Sequence, residues 1–299
     1  MNLSKIQSQF EKIEKDPFLF EERNFEKRQE GIEFIDFQIL QQIDDLILKT
    51  GQAKRWLQLK LRAEKIKGEL EKINFKLFQQ LRERIRNGEI AGEKFKNLIH
   101  DYIVFDLEDT EHQDQIEYEN LDVLVNGLSP FSEIPGQTRD LEPEMVYYQK
   151  TPARIVFEMI EKSPFQAEDV FFDLGSGLGQ VAILVHLLTG LPVRGIEIEP
   201  SFCQYARDWA VNLHLPAATF QNGDARFADL SCGTVFFMFT PFKGVILSTV
   251  LENLRKESGN RRIKIITYGP CTIEVGLQNW LVSDDKVNNI YQLTVFHSR

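Results

Sequence analysis

The chain has 299 residues, with 45 acidic against 35 basic side chains and a formal net charge of −10. That balance weighs against a polyanion binder held by bulk charge, and 42% hydrophobic residues suit a globular chain with ordinary cores, about two domains by length. Three widely spaced cysteines, Cys203, Cys232 and Cys271, form neither a metal-ligand pattern nor a disulfide framework, so no metal site is expected.

The first residues, MNLSKIQSQFEKIEK, are polar and charged, unlike a signal peptide. The longest apolar run, around 181–188, is too short to span a bilayer. A cytoplasmic location and no membrane partner are the expectation. Residues 1–104 read as an all-α domain. Asp16-Pro17 interrupts its first segment, and Gly31 and Gly51 bracket an apolar helix over 32–48. Leu59, Ala63, Ile66, Leu70, Ile73, Leu77, Leu81 and Ile85 then follow in three- and four-residue steps. They make one apolar stripe on a long helix that Asn87-Gly88 ends, and a shorter helix over 93–102 follows. The stripe is heptad-like and permits a homodimer through these helices. The opposite face carries Lys54, Arg55, Lys60, Arg62, Lys65, Lys67, Lys72, Lys76, Arg82, Arg84 and Arg86. It fits a grip on nucleic acid or an acidic protein, a solvated face of a core-packing helix, or a partner for the acidic stretch that follows.

Residues 105–144 read as an acidic linker containing Asp106, Glu108, Asp109, Glu111, Asp114, Glu117, Glu119 and Asp122. Asn126-Gly127, Ser129-Pro130 and Pro135-Gly136 put turns in its second half. From 145 to 299 strands and helices alternate. Thr151-Pro152 reads as the cap and first residue of a helix over 153–162 whose start faces a ligand. A strand over 170–173 leads into Gly175, Gly177 and Gly179, a helix over 180–188, and a strand over 193–198 that carries Glu197. This is half of a doubly wound sheet, whose ligand crevice lies at the carboxyl ends of the strands.

The spacing separates two cofactors. A dinucleotide site wants G-x-G-x-x-G before a helix N-terminus that cradles a pyrophosphate. Here the third glycine comes one residue early and Gln180 fills the expected slot. Asp173 also puts a carboxylate at the mouth of the turn, which repels a pyrophosphate and suits a cation. S-adenosyl-L-methionine offers a sulfonium and an ammonium, and Glu197 is placed to accept from two ribose hydroxyls. The candidate cofactor-binding residues are Thr151, Asp173, Gly175, Ser176, Gly177, Gly179, Gln180, Glu197 and Ile198. Farther on come a helix over 202–213, a strand over 220–223 followed by Asp224, and a strand over 234–239 ending in Thr240-Pro241-Phe242. A helix over 245–255, a strand over 263–268 and a closing pair, 279–282 with 290–297, complete the pattern.

DLGSGLGQ at 173–180, with Tyr148-Gln149-Lys150-Thr151, Ile155-Val156 and Met159-Ile160 before it, resembles the class I S-adenosylmethionine methyltransferases. More narrowly, it resembles the disruptor-of-telomeric-silencing type of protein lysine methyltransferase, over about 147–244. The resemblance implies an α/β, Rossmann-like, seven-stranded, doubly wound sheet in the order 3-2-1-4-5-7-6, preceded by the all-α domain. It implies that the loop at Tyr148 folds over the methionine end of the cofactor, although Lys150 stands where the family usually has an acid. It also implies adenine contacts from Asp224 and Ala225, and a methyl acceptor near Tyr148, Thr240, Pro241 and Phe242, with Thr240 where the family has Asn.

The expected activity is methyl transfer to a lysine amine of a macromolecular, protein substrate. Phe239, Phe242, Tyr148 and Tyr268 could wall an apolar channel that makes the amine neutral by desolvation. Other readings are an RNA or DNA base methyltransferase, for which Thr240-Pro241-Phe242 keeps the proline and aromatic but lacks the amide, a small-molecule methyltransferase, and a non-catalytic S-adenosylmethionine-binding protein. A nicotinamide oxidoreductase is disfavoured by Asp173 and the early third glycine.

Overall fold

The computed structural model describes residues 3–51, 53–105, 107, 116–283 and 289–299. The chain forms two compact units, Met1–Glu83 with Asn97–Phe105, and Arg84–Lys96 with Asp106–Arg299. Among the described residues no helix is long and apolar enough to cross a membrane.

The first unit is helical. After α1 (Leu3–Glu14), a 3-10 turn (Pro17–Phe20) is capped by Asp16, whose Oδ1 accepts from Phe18 N at 3.0 Å. α2 (Phe25–Glu33) runs through a π-helical stretch (Phe34–Leu40) into α3 (Gln41–Thr50), which ends at the left-handed Gly51. The expected break at Gly31 does not occur. A Cβ there would lie 3.3 Å from Leu19 Cδ1, so Gly31 serves close packing within a continuous helix. α4 (Ala53–Arg86) has 34 residues, about 50 Å of helix. Its apolar stripe is buried: Leu59, Ala63 and Leu70 pack with Ile6, Phe10, Ile32, Ile35, Ile39 and Ile43. The stripe expected to permit a homodimer is therefore used inside one chain. Arg28 is wholly buried and donates to Asn74 Oδ1 at 2.6 Å, Glu21 O at 2.6 Å and Glu22 O at 3.1 Å.

The basic side chains of α4 have partners that sequence reading did not weigh. Lys60 pairs with Asp44 at 2.6 Å, Lys67 with Asp36 at 2.7 Å, and Arg62 with Glu14. Arg82 is itself buried, and the Arg55 side chain lies outside the described residues. α5 (Glu93–Tyr102) follows.

Of the acidic stretch, Asp106, Glu108, Asp109, Glu111 and Asp114 lie outside the described residues. The stretch read as a linker contains α6 (Asn120–Asn126). Glu119 pairs with Arg154 at 3.8 Å. Asp122 is buried, with Oδ2 accepting from Glu119 N at 2.9 Å and Oδ1 accepting from Ala153 N at 2.8 Å. This corrects the start of α7 (Ala153–Lys162). Thr151 makes no cap, and Pro152 precedes the helix with ψ of 135° instead of opening it. The first-turn N–H that needs an acceptor finds it in Asp122, 31 residues away.

The sheet unit continues with β1 (Phe171–Leu174), α8 (Gln180–Thr189), β2 (Val193–Glu197), α9 (Pro200–Asn212), β3 (Ala218–Asn222) and β4 (Val235–Met238). α10 (Gly244–Ser258), β5 (Lys264–Thr267), α11 (Cys271–Gly276), β6 (Leu281–Val282) and β7 (Thr294–Ser298) complete it. Seven strands form one sheet in the order β3-β2-β1-β4-β5-β7-β6, as the resemblance implied. β7 runs antiparallel to both its neighbours and the other ladders are parallel. β1 and β4 are buried at every residue, as strands covered on both faces must be. Phe172, Leu174, Phe236 and Met238 pack with Ile246, Val250 and Leu254 of α10. The short α11 was not foreseen. Strand order reverses between β1 and β4, and such a switch point opens a crevice at the strands' carboxyl ends.

Candidate active site

Past β1 the chain turns through Gly175, Gly177 and Gly179, at φ of 83°, 51° and 83°. At two of them a side chain would collide with a wall of the crevice. A Cβ on Gly175 would come 2.2 Å from Pro241 Cβ, and one on Gly177 would come 2.2 Å from Tyr148 Cε2. The turn is thus gripped between the end of β4 and the loop before α7.

A cavity of about 260 Å³ opens against this turn. Tyr148, Gly175, Glu197, Ile198, Asp224, Ala225, Thr240, Pro241 and Phe242 line it together. Asp173, Gly177 and Gly179 are not part of that lining: Asp173 is buried within β1, one residue before its end, and Gly179 precedes the first residue of α8. Ser176 and Gln180 do not line the cavity either. Ser176 directs its Oγ at β2, where a Cβ on Gly195 would meet it at 2.5 Å. Gln180 Nε2 donates to Thr151 O at 3.2 Å, and its side chain lines a separate cavity of about 180 Å³ with Lys150 and Tyr205. Thr151 is likewise buried away from the main cavity and meets Gln180 through its carbonyl. Residues adjacent in sequence part company here because the positive-φ turn swings alternate positions to opposite sides.

The charges are unevenly matched. Burial, with Glu197 nearby, raises the Asp173 carboxyl to about 8. Burial also raises Glu197, although its Oε2 accepts from Gly177 N at 2.7 Å and its Oε1 from Glu199 N at 2.8 Å. A carboxylate accepts about four hydrogen bonds, so Glu197 keeps capacity for a further donor. Asp224 lines the cavity, but Arg226 holds both its oxygens: Oδ2 accepts from Nε at 2.9 Å and from Nη2 at 2.6 Å, and Oδ1 accepts from the Arg226 backbone N at 2.8 Å. Arg226 also reaches Glu142 at 2.8 Å.

Sequence reading missed Glu199. Its carboxylate accepts from Thr138 N and Oγ1, Arg139 N, and Ser201 N and Oγ. Burial alone would raise it, but these donors prevail and hold it at about 2. It clasps the segment bearing Gln137 and Leu141, which line the cavity. Farther along that segment, Glu144 Oε2 accepts from Ile246 N at 2.9 Å and Val146 N donates to Pro241 O at 3.1 Å. The Glu-Pro-Ser at 199–201 was a visible N-cap signal for α9, but nothing local tied it to Thr138, 61 residues earlier. Tyr147, Tyr291 and Ile116 also line the cavity unforeseen.

Thr240 differs from its expected role. It adopts φ of 42°, a left-handed conformation uncommon for a β-branched residue. Its hydroxyl turns to α11, accepting from Cys271 N at 3.1 Å, and lies 3.4 Å from Tyr268 O. Phe237 belongs to the core, stacked on Phe171 at 6.4 Å. Phe239 lines the cavity, and Tyr268 packs against it at 5.2 Å.

These residues fit S-adenosylmethionine. The Asp173 carboxyl, buried two residues before the cavity-lining Gly175, suits an ammonium, Glu197 keeps acceptor capacity for hydroxyls, Ile198 and Ala225 offer apolar surface, and the glycine turn leaves a cradle that a Cβ would fill.

Residues 143–225 match the family model described as "Histone methylation protein DOT1". No curated protein matches the chain. Among solved structures, an RNA methyltransferase from Salinibacter ruber in complex with S-adenosyl-L-homocysteine is 24% identical, covering 50% of this chain and 92% of that one at a TM-score of 0.39. A SAM-dependent methyltransferase from Aquifex aeolicus is 16% identical, covering 48% and 88% at a TM-score of 0.40. A ribosomal protein L11 methylase from Lactobacillus delbrueckii subsp. bulgaricus is 17% identical, covering 49% and 77% at a TM-score of 0.38. The strand order, the glycine turn with its flanking carboxylates and the matched family model agree: the second unit is a class I S-adenosyl-L-methionine-dependent methyltransferase that resembles the DOT1 histone methylation family.

Proposed function

We propose that the methyl acceptor is the side-chain amine of a protein lysine. The observation that carries this reading is the chemistry of the cleft beside the turn after β4. Phe239 and Phe242 line it together with Tyr147, Tyr148 and Tyr291. Two polar groups of that turn are engaged inside the fold: the Thr240 hydroxyl with Cys271 N, and the Pro241 carbonyl with Val146 N. A nucleobase amine depends on an acceptor at such a point, whereas an alkyl amine needs only to be neutral and in line with the methyl carbon. Free lysine has a pKa of about 10.4, so neutralising it at pH 7 costs roughly 4–5 kcal/mol. Aromatic walls lower that value by desolvation. Burial raises the Tyr148 phenol, so it stays neutral and serves as wall. The amine's proton leaves to solvent. The match to a histone methylation model supports a lysine of a basic protein.

Bound S-adenosylmethionine supplies an electrophilic methyl on its sulfonium. Asp173 would hold the ammonium, Glu197 the ribose hydroxyls, and Ile198 and Ala225 the adenine faces. Asp224, restrained by Arg226, would accept from the adenine amine. Gly175 and Gly177 let Pro241 and Tyr148 close on the turn. Thr240 shapes the end of β4 and leaves the acceptor contact to the aromatic side chains.

Methyl-labelled cofactor incubated with the protein and fractionated cell extract tests the acceptor. The label should be protease-sensitive and nuclease-resistant, and hydrolysis should release methylated lysine. Label in nuclease-sensitive material would overturn the lysine assignment.

A further inference from the structure

α4 carries a second pattern, on the face turned away from its core. Leu57, Leu61 and Phe75 are 51%, 55% and 57% exposed there. Gly68 lies midway between Leu61 and Phe75, seven residues from each. Seven residues are two helical turns, about 10.5 Å, so Leu61, Gly68 and Phe75 form one line. Among the described residues nothing explains this glycine. Glycine lowers helix propensity, and Gly31 shows what repays that cost, the close contact with Leu19. A Cβ on Gly68 would meet nothing within 4 Å among the described residues. A glycine between two exposed apolar side chains, facing open space in a 34-residue helix, suits the close approach of another helix.

We infer that this face binds a second copy of the chain, α4 against α4 in parallel about a two-fold axis, with Gly68 facing Gly68. The charges identify both partner and direction. At about 100° per residue, Lys65 and Lys72 lie to one side of the Leu61–Gly68–Phe75 line, and Glu64 and Glu71 lie to the other; all four are exposed. A parallel two-fold places the basic flank of each helix beside the acidic flank of its partner, Lys65 near Glu64 and Lys72 near Glu71. An antiparallel two-fold would bring like flanks together, Lys65 beside Lys72 and Glu64 beside Glu71, which is repulsive. The pattern is therefore self-complementary in one orientation, as an isologous interface requires. Within the chain, Glu71 lies 3.5 Å from Lys67 and Lys65 lies 3.9 Å from Glu69, contacts weak enough to be shared across a seam. The stripe Leu59–Ile85, the one that sequence periodicity displays, lies on the opposite side and is buried except at the half-buried Ile66 and Ile73. This inference does not depend on the methyl-transfer reading.

Sedimentation equilibrium of the full chain over rising protein concentration tests it. A monomer–dimer equilibrium is expected, and Gly68→Leu should weaken it at least about tenfold by blocking the approach. Two charge variants probe the seam. Glu64→Lys with Glu71→Lys, and Lys65→Glu with Lys72→Glu, should each be monomeric alone and form a heterodimer when mixed. Direction is read with Leu61→Cys under oxidised glutathione. It should form a disulfide-linked homodimer, which the parallel arrangement permits. Cross-linking only when Leu61→Cys is mixed with Phe75→Cys would overturn the parallel arrangement. Apart from the half-buried Gly68 the substituted residues are exposed, and an unchanged circular dichroism spectrum confirms that each variant folds. A wild-type chain that stays monomeric throughout, or charge variants that dimerise as well alone as mixed, would overturn the proposal.

Discussion

Asp173 has a carboxyl that burial and Glu197 raise to about 8. In the cofactor-free protein that shift favours the protonated form near neutral pH, whereas an ammonium bound against it would favour the ionised form. Binding below about pH 8 therefore releases a proton, and affinity should rise between about pH 6 and pH 8. Calorimetry in buffers of different ionisation enthalpy reads that proton directly. Asp173→Asn should abolish the pH slope and weaken cofactor binding by about 30-fold or more, the cost of losing a buried charge-assisted hydrogen bond. An unchanged affinity would remove Asp173 from the site. In the cofactor-free protein the same shift acts on stability with the opposite slope. The folded state holds the proton more tightly than the unfolded chain, so this contribution is full below the ordinary aspartate range and declines as pH rises towards 8. Asp173→Asn should then gain most in melting temperature at the alkaline end.

At the scale of elements, the segment bearing Gln137 and Leu141 is held over the cavity by Glu199, by Arg226 through Glu142, and by Ile246 N through Glu144. Glu199→Ala should free the Thr138 and Arg139 amides, which hydrogen exchange would register as faster exchange at those two positions. The KM for S-adenosylmethionine should rise about tenfold, with a smaller change in kcat, because the variant loosens a wall and leaves the reacting centre intact. Unaltered exchange at Thr138 and Arg139 would show that the other two anchors suffice. With its pKa held at about 2, Glu199 contributes stability that is present above the ordinary glutamate range and lost only as pH falls towards 2. This anchor should outlast ordinary carboxylates in acid.

Across the whole molecule the net charge is −10, and Lys60, Arg62 and Lys67 already have carboxylate partners in the helical unit. Duplex DNA should therefore bind no more tightly than about 10⁻⁶ M at physiological salt. Fluorescence anisotropy across a salt series checks this, and nanomolar binding with a steep salt slope would restore the basic face of α4 as a nucleic-acid grip. The contrast between the two units is instructive. The sheet unit positions its chemistry on strand ends and loops, whereas the helical unit buries a cation, Arg28, against carbonyls and Asn74. Replacing Arg28 with Met would leave those acceptors unpaired, so a marked loss of stability is expected on thermal melting, on the order of 3 kcal/mol.

Periodicity and turn chemistry are local properties, and what depends on them was legible in the chain alone. The stripe from Leu59 to Ile85, the alternation of strands and helices after 145, and the Asp173–glycine–Glu197 unit all follow from side-chain spacing and from backbone conformations that only glycine adopts readily. The resemblance then supplied the strand order. Contacts between distant residues were not legible, because the fold alone brings their atoms together. Asp122 caps α7 from 31 residues away, Glu199 holds Thr138 across 61, and Glu144 meets Ile246 across 102. The same cause explains Thr240, whose hydroxyl turned from the expected acceptor contact once α11 presented an N–H. It also explains α4, whose visible stripe was taken into the core while four charges beside a half-buried glycine on the far side remained exposed. Sequence determined which residues could bind this cofactor. The tertiary structure decided which of them face the cavity, because a hydrogen bond or a collision is set by position in space and not by spacing along the chain.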